Sequence, residues 1–375
     1  MKVGFDAKRF FNNFTGLGNY SRFIIDALSK HATENEYFLY SPKVKTHPEF
    51  NQILQRDNVK TINAPATYTR FNASSLWRTW GISKDPTVQT LNVFHGLSQE
   101  LPVNLPTTLK KVVTVHDLIF FRYAELYNLL DVFIYKAKVK AACRQADIIL
   151  ATSIQTKNDI VDFLRIDAAK IHVVYQGCHP SFKQHFSHEE ISKTKTKYNL
   201  PEHYILNVGT IEERKNVLVL VKAVSALPSD LLYPIVIVGR ATKYKSRIIE
   251  EAQRLGVGEK IIFLHNVSFA DLPAIYQGAR LFVYPSIFEG FGIPVVEALE
   301  SSVPVIAASG SCLSEAGGPG SIYVNPTDAA ELTEQLEKVL TDSTLCARMI
   351  AHGKGYIEQF APKVISEKLL EVYNA

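Results

Sequence analysis

The 375-residue chain has only four cysteines, Cys143, Cys178, Cys312 and Cys346, and they stand far apart. No CxxC pair and no Cys/His cluster with zinc spacing occurs, so neither a disulfide framework nor a structural metal is expected, and a reducing compartment fits best. No apolar run approaches the roughly 18 residues that a membrane-crossing helix needs. The opening MKVGFDAKRFF places Lys2, Asp6, Lys8 and Arg9 where a secretion signal would carry its apolar segment, so a cytoplasmic location is expected. Charge is nearly balanced as well: 41 Lys and Arg against 37 Asp and Glu leave a net +4. That is too mild for a nucleic-acid binder, but it favours anionic ligands. Repeats and low-complexity stretches are also missing.

What is present describes a soluble globular protein, 46% hydrophobic and 21% charged. The length exceeds one ordinary core, so two domains of roughly 150 to 200 residues are expected. The first sixty residues read as strand (KVGFDA), Gly-containing loop (NNFTGLGN), helix (YSRFIIDALSKHA) and strand (EYFLYS), a βαβ unit. Short apolar runs at NVFHG, KVVTVHDL and ADIILATS follow, with an amphipathic helix expected between Glu125 and Arg144. A second series starts near Tyr204 with YILNVGT, YPIVIVGR, KIIFLHN, ARLFVYPS and VPVIAAS. The reading is therefore α/β, two doubly wound parallel-sheet domains, with the hinge in the polar stretch at 178–195.

The stretch FVYPSIFEGFGIPVVEALE, Phe282 to Glu300, carries the densest chemistry. LFVYPS is a strand, Gly290 and Gly292 break any helix, and Pro294 suits a first helical turn, so a helix is expected to start there. Such a start presents unpaired N–H groups and a positive dipole end, which suit an anion. In a doubly wound domain this loop leaves the carboxyl end of a strand, where ligands bind. Glu289 in the loop and Glu297 in the first turn can then border the pocket, each able to accept from two sugar hydroxyls. Taken singly, Glu297 would merely complement the helix dipole and Glu289 would be a solvated loop residue.

Together, E-G-F-G-I-P-V-V-E-A-L resembles the E-x7-E signature of the family-4 retaining glycosyltransferases, which have the GT-B fold of two Rossmann-like domains facing across a cleft. NVGTIEERKN resembles the family segment whose basic pair holds the donor diphosphate, here Arg214 and Lys215; the family often has Arg where this chain has Thr210. TGLGNYSR, with Gly16 and Gly18, resembles the Gly-rich loop before the first helix. VFHG, with His95, and TVHDL, with His116 and Asp117, resemble two strand ends that face the cleft.

The resemblance covers the whole chain and implies an acceptor-binding domain at 1–185 and a nucleotide-sugar-binding domain at 186–359. A last helix near 360–375 is expected to return to the first domain. It implies donor contacts at Gly16, Gly18, Gly209, Thr210, Arg214, Lys215, Gly239, Arg240, Glu289, Gly290, Phe291, Gly292, Ile293 and Glu297. Acceptor contacts are implied at His95, His116 and Asp117, and catalysis by His116, Glu289, Arg214 and Lys215. Glu297 is assigned to the nucleotide ribose and Glu289 to the transferred sugar, and His116 is expected to donate to a sugar hydroxyl or to assist acceptor binding.

The implied reaction moves a hexose, with retention, from a nucleotide-diphosphate sugar to a glycan or lipid-linked acceptor in surface-polysaccharide synthesis. GDP-mannose is the first donor expected and a UDP-sugar the second. No metal is required, and the chain contains no Asp-x-Asp. The rival readings are a sugar-nucleotide epimerase or phosphorylase on the same scaffold, and an inert sugar-nucleotide-binding subunit. TYTRFNASSLWRTW, with Arg70, Trp77, Arg78 and Trp80, and the helix near 125–144, with Lys136, Lys138, Lys140 and Arg144, suggest peripheral contact with the cytoplasmic face of a membrane.

Overall fold

The structure is a computed structural model that describes residues 1–70 and 73–375; Phe71 and Asn72 lie outside the description. The chain divides into two compact units, Met1–Gly177 with Gln359–Ala375, and Cys178–Glu358.

The first unit is built on β1 (Lys2–Asp6), β2 (Glu36–Ser41), β3 (Val59–Asn63), β4 (Val93–Gly96), β5 (Lys110–Val115), β6 (Ile148–Ala151) and β7 (Ile171–Val173). Their order in the sheet is β3-β2-β1-β4-β5-β6-β7, with every pair parallel. Between them run helices that cover the sheet, among them Gly16–His31 and Leu129–Gln145. The helix Pro362–Asn374 belongs to this unit: Ile365, Leu369, Val372 and Tyr373 share one core with Val3, Phe5 and Ile24.

The second unit repeats the plan with β8 (Ile205–Val208), β9 (Ile235–Val238), β10 (Ile261–Leu264), β11 (Leu281–Tyr284), β12 (Val305–Ala308) and β13 (Ile322–Val324). Their order is β10-β9-β8-β11-β12-β13, again all parallel. The apolar tetrapeptides of β9, β11 and β12 are buried throughout, as strands covered on both faces must be.

The winding reverses in each sheet between the first and fourth strands, β1 with β4 and β8 with β11. Chain leaving these neighbours diverges to opposite sides and opens a crevice at their carboxyl ends. Among the described residues no helix is long and apolar enough to cross a membrane.

Three strands have no counterpart in the sequence reading: β3, β7 and β13. All three are sheet edges. Only Val59 of β3 is buried, and β7 and β13 are three residues each, so none presents the continuous apolar run that marks an interior strand.

Candidate active site in the second unit and its counterpart in the first

At the switch point of the second sheet, the loop after β8 carries Gly209, Thr210, Arg214 and Lys215, and the loop after β11 carries Ser286 and Glu289. Backbone ties the loops together: Ile287 N donates to Arg214 O at 2.9 Å. Asn216, in the left-handed region at φ 57°, reaches Pro285 O at 3.2 Å and Pro326 O at 2.7 Å through its amide. These contacts hold two cations beside one carboxylate.

Glu289 is the centre of that arrangement. Its Oε1 accepts from Lys215 Nζ at 2.5 Å, Ser286 Oγ at 2.5 Å and Tyr284 OH at 3.0 Å, and Arg214 Nη1 stands 3.0 Å away. Lys215 also donates to Tyr284 OH at 2.6 Å, and Arg214 pairs with Glu212 at 2.7 Å and donates to Phe288 O. Burial would push the Glu289 carboxyl up, but the Lys215 ammonium and the Arg214 guanidinium outweigh it and hold the group at about 2. Glu289 is thus ionised under ordinary conditions, and among the described residues these side-chain contacts all fall on Oε1.

The helix that follows is Ile293–Glu300, capped by Gly292, with Pro294 in its first turn. It starts one residue earlier than the sequence suggests, because Gly292 at φ 120° can turn the chain into it directly. A side-chain carbon at Gly292 would stand 2.8 Å from Leu313 Cδ2, so the turn needs glycine for space as well as for its dihedral. Cys312 steadies the approach, its thiol donating to Glu289 O at 3.0 Å and Phe291 O at 3.2 Å. Gly290 lies in that same approach.

Glu297 corrects the sequence reading, which put it in the first turn. It sits in the second turn and is only 7% exposed, with Oε2 accepting from Tyr276 OH at 2.9 Å. Burial pushes its carboxyl up to about 7 against the pull of the Tyr276 hydrogen bond. The two glutamates therefore differ: Glu289 is held charged by cations, whereas Glu297 is poised near neutrality. Gly239, after β9, packs so closely that a side-chain carbon there would lie 1.8 Å from Gly209 O, and Ile211 N donates to Arg240 O at 2.9 Å. Arg240 itself is exposed.

In the first unit, Gly16 opens the helix Gly16–His31 behind Thr15, and Gly18 N donates to Asn13 Oδ1 at 3.1 Å. His116 follows β5, with Nε2 2.8 Å from Leu97 O and its ring edge-on to Tyr20 at 4.5 Å. A carbonyl only accepts, so Nε2 carries the proton and Nδ1 is an acceptor. Burial, with the Arg9 charge, pushes the imidazole down to about 4 against the Leu97 contact, which keeps it neutral. His116 can therefore accept from a hydroxyl, and the donor role expected from sequence is corrected. Asp117 Oδ1 accepts from Ile119 N at 3.1 Å, just before the helix Ile119–Arg122.

His95 is a second correction. It is completely buried, with Nδ1 2.7 Å from Tyr373 OH and Nε2 2.7 Å from Thr114 Oγ1, and burial with the neighbouring His116 pushes it down to about 3. Neither ring nitrogen is left for an acceptor. Two of the residues expected at a membrane are also committed inside the unit. Trp77 is 1% exposed, and Arg78 binds Asp6 and Glu100 at 2.5 and 2.6 Å. The Arg70 side chain lies outside the described residues.

Tyr276, Tyr284, Ser286 and Cys312 were not singled out by sequence. Tyr284 and Ser286 lie within the quoted FVYPS and could have been found as the strand-end residues nearest Glu289; Tyr276 and Cys312 carry no local signal. Among the described residues no group of three or more His, Cys, Asp or Glu is placed to hold a metal ion.

Comparison with known proteins identifies the family. The profile described as Glycosyltransferase Family 4 matches residues 16–182 and that of Glycosyl transferases group 1 matches 188–356, so only 183–187 separate the two matches. The serotype-specific mannosyltransferase WbdA of Escherichia coli is 29% identical over 73% of this chain, which spans 35% of that protein's length. The O-antigen chain mannosyltransferase RfbU of Salmonella typhimurium is 31% identical over 60% of the chain and 59% of its own. Among solved structures, Anabaena HepE in complex with UDP and glucose superposes with a TM-score of 0.73 at 18% identity, covering 100% of this chain and 99% of that one. At that identity the likeness establishes the shared two-unit α/β fold.

Proposed function

Since the chain belongs to the family-4, group 1 glycosyltransferases of GT-B fold, we propose that it moves a hexose from a nucleotide-diphosphate sugar to a glycan or lipid-linked glycan acceptor, with retention, in surface-polysaccharide synthesis. The observation that carries this reading is the Arg214–Lys215–Glu289 cluster beside the start of Ile293–Glu300. Two cations and a helix N-terminus there can neutralise a diphosphate and the charge that grows on it as the sugar departs. Glu289 Oε2 then takes hydroxyls of the transferred sugar, and Glu297 takes the ribose. Gly209, Thr210, Gly239, Arg240 and Gly290–Ile293 complete the donor contacts.

Acceptor binding is assigned to the first unit, through His116 Nδ1 and Asp117, with Gly16 and Gly18 allowing close approach to the helix start. Phosphate charge rests on protein cations in this scheme, so transfer should persist in a chelator. Mannose from GDP-mannose is the first donor proposed, supported by the names of the WbdA and RfbU relatives. A UDP-sugar is the second, supported by the ligands of the HepE structure. Four free cysteines suit a cytoplasmic setting.

A thermal-shift panel of GDP-, UDP-, ADP- and dTDP-sugars, followed by transfer assays, tests the reading. A donor that binds the folded state raises its melting temperature. GDP-mannose should do so, and Lys215→Ala and Glu297→Ala should each lower transfer by at least ~10-fold. Full turnover by both variants at limiting donor, or conversion of the donor without any acceptor, would sink it.

A further inference from the structure

The helix Leu129–Gln145 carries more apolar surface than its own unit covers. Val132, Val139, Ala142 and Cys143 form the buried stripe that fixes it to the sheet. On the other side Leu129, Leu130, Phe133 and Ile134 are 81, 71, 72 and 50% exposed, neighbours over two successive turns. Single exposed apolar residues are ordinary, but four large ones together mark a surface that docks on something.

Charge indicates what that is. Farther along the same helix Lys140 and Arg144 are exposed. The first unit holds 24 Lys and Arg against 17 Asp and Glu, net +7, while the second holds 17 against 20, net −3. An apolar tip on a cationic body matches an acyl layer under anionic headgroups. The same charge opposes docking two first units face to face.

We propose that the first two turns of Leu129–Gln145 insert into the interface of an anionic bilayer and hold the first unit on it. This relocates the contact expected from sequence, since Trp77 and Arg78 are committed inside the unit. In a parallel α/β unit a crossover helix runs back along its strand, so its start lies at the carboxyl edge of the sheet. His116 and Asp117 leave β5 at that edge. Ile154, 51% exposed, opens the helix after β6, the neighbour of β5, at the same edge. Docking would thus bring the acceptor residues to the water–lipid boundary, where a lipid-anchored glycan presents its sugar. That last step rests on the proposed acceptor role, whereas docking does not.

The test is co-sedimentation of the full chain with phosphatidylcholine vesicles, with and without phosphatidylglycerol, at low and high salt. Binding should require the anionic lipid, weaken in salt, and fall at least ~10-fold both in L130S/F133S and in K140E/R144E. The thermal shift given by nucleotide sugars should be unchanged in both variants, so loss of docking and loss of the donor site are separable. No sedimentation of the wild type with any vesicle, or equal binding by L130S/F133S, overturns the proposal. So does a concentration-dependent dimer that L130S/F133S dissolves, which would assign the patch to a second copy.

Discussion

Glu289 takes donors from Lys215, Arg214, Tyr284 and Ser286 on one carboxylate oxygen. Removing one of the four leaves the carboxylate paired, so Lys215→Met should fold normally. The same variant should bind a nucleotide-diphosphate sugar at least ~10-fold more weakly by calorimetry, since a diphosphate contact is lost. Unchanged affinity would detach Lys215 from the diphosphate.

Glu297 gives a pH signature. Its folded value of about 7 lies above the ordinary 4.5, so the native protein holds a proton that the unfolded chain releases. The stability Glu297 contributes is therefore present below about 4.5 and lost as pH rises through about 7. Nucleotide binding should run the other way, strengthening as pH climbs through about 7, because only the carboxylate accepts from both ribose hydroxyls. Glu297→Gln should flatten that profile. Tyr276→Phe should move its midpoint upward, since the lost hydrogen bond favours the charged form. A profile that ignores both substitutions would remove Glu297 from the ribose. At this scale, sequence could reveal residues that sit inside a recurrent pattern, such as Glu289 and Lys215. It could not reveal that His95 meets Tyr373 across 278 positions or that Tyr276 supports Glu297, because those partners meet only through the fold.

The elements around the site were legible wherever backbone chemistry dictates them. Glycine and proline after an apolar run announce the turn into Ile293–Glu300, and buried interior strands announce themselves as unbroken β-branched runs. The edge strands β3, β7 and β13 do not, because they lack such a run, whereas β10, also an edge, keeps one in Ile261–Leu264. The Gly292 turn can be probed directly. Gly292→Ala would hold a side chain at φ 120° against Leu313, and it should cost about 1–3 kcal/mol in denaturant unfolding. Affinity for the nucleotide sugar should fall as well, because the helix start is displaced. The last helix offers a second probe. Tyr373→Phe strips His95 Nδ1 of its buried partner and should cost about 1–3 kcal/mol, with nucleotide binding unaffected.

For the whole molecule, each unit has a core of its own, one around Val3, Phe5 and Ile365 and the other around Ile205, Leu220 and Ile306. Calorimetry should therefore show two transitions rather than one, with saturating nucleotide raising only that of the second unit. A single transition that moves as a whole would show the units to be coupled too tightly to unfold apart. Length suggested two domains but not the opposite charge of the two units, which emerges only once residues are assigned to them.

The placement of Pro362–Asn374 in the first unit also bears on biosynthesis. On a ribosome the first unit emerges early yet lacks Ile365, Leu369 and Tyr373, and the hydrogen bond to His95 must await a tyrosine 278 residues downstream. The second unit is contiguous in sequence and can close its core first. The earlier half of the chain would thus be the last to finish folding, with an open apolar seam for most of translation, and that seam is where chaperones would be needed.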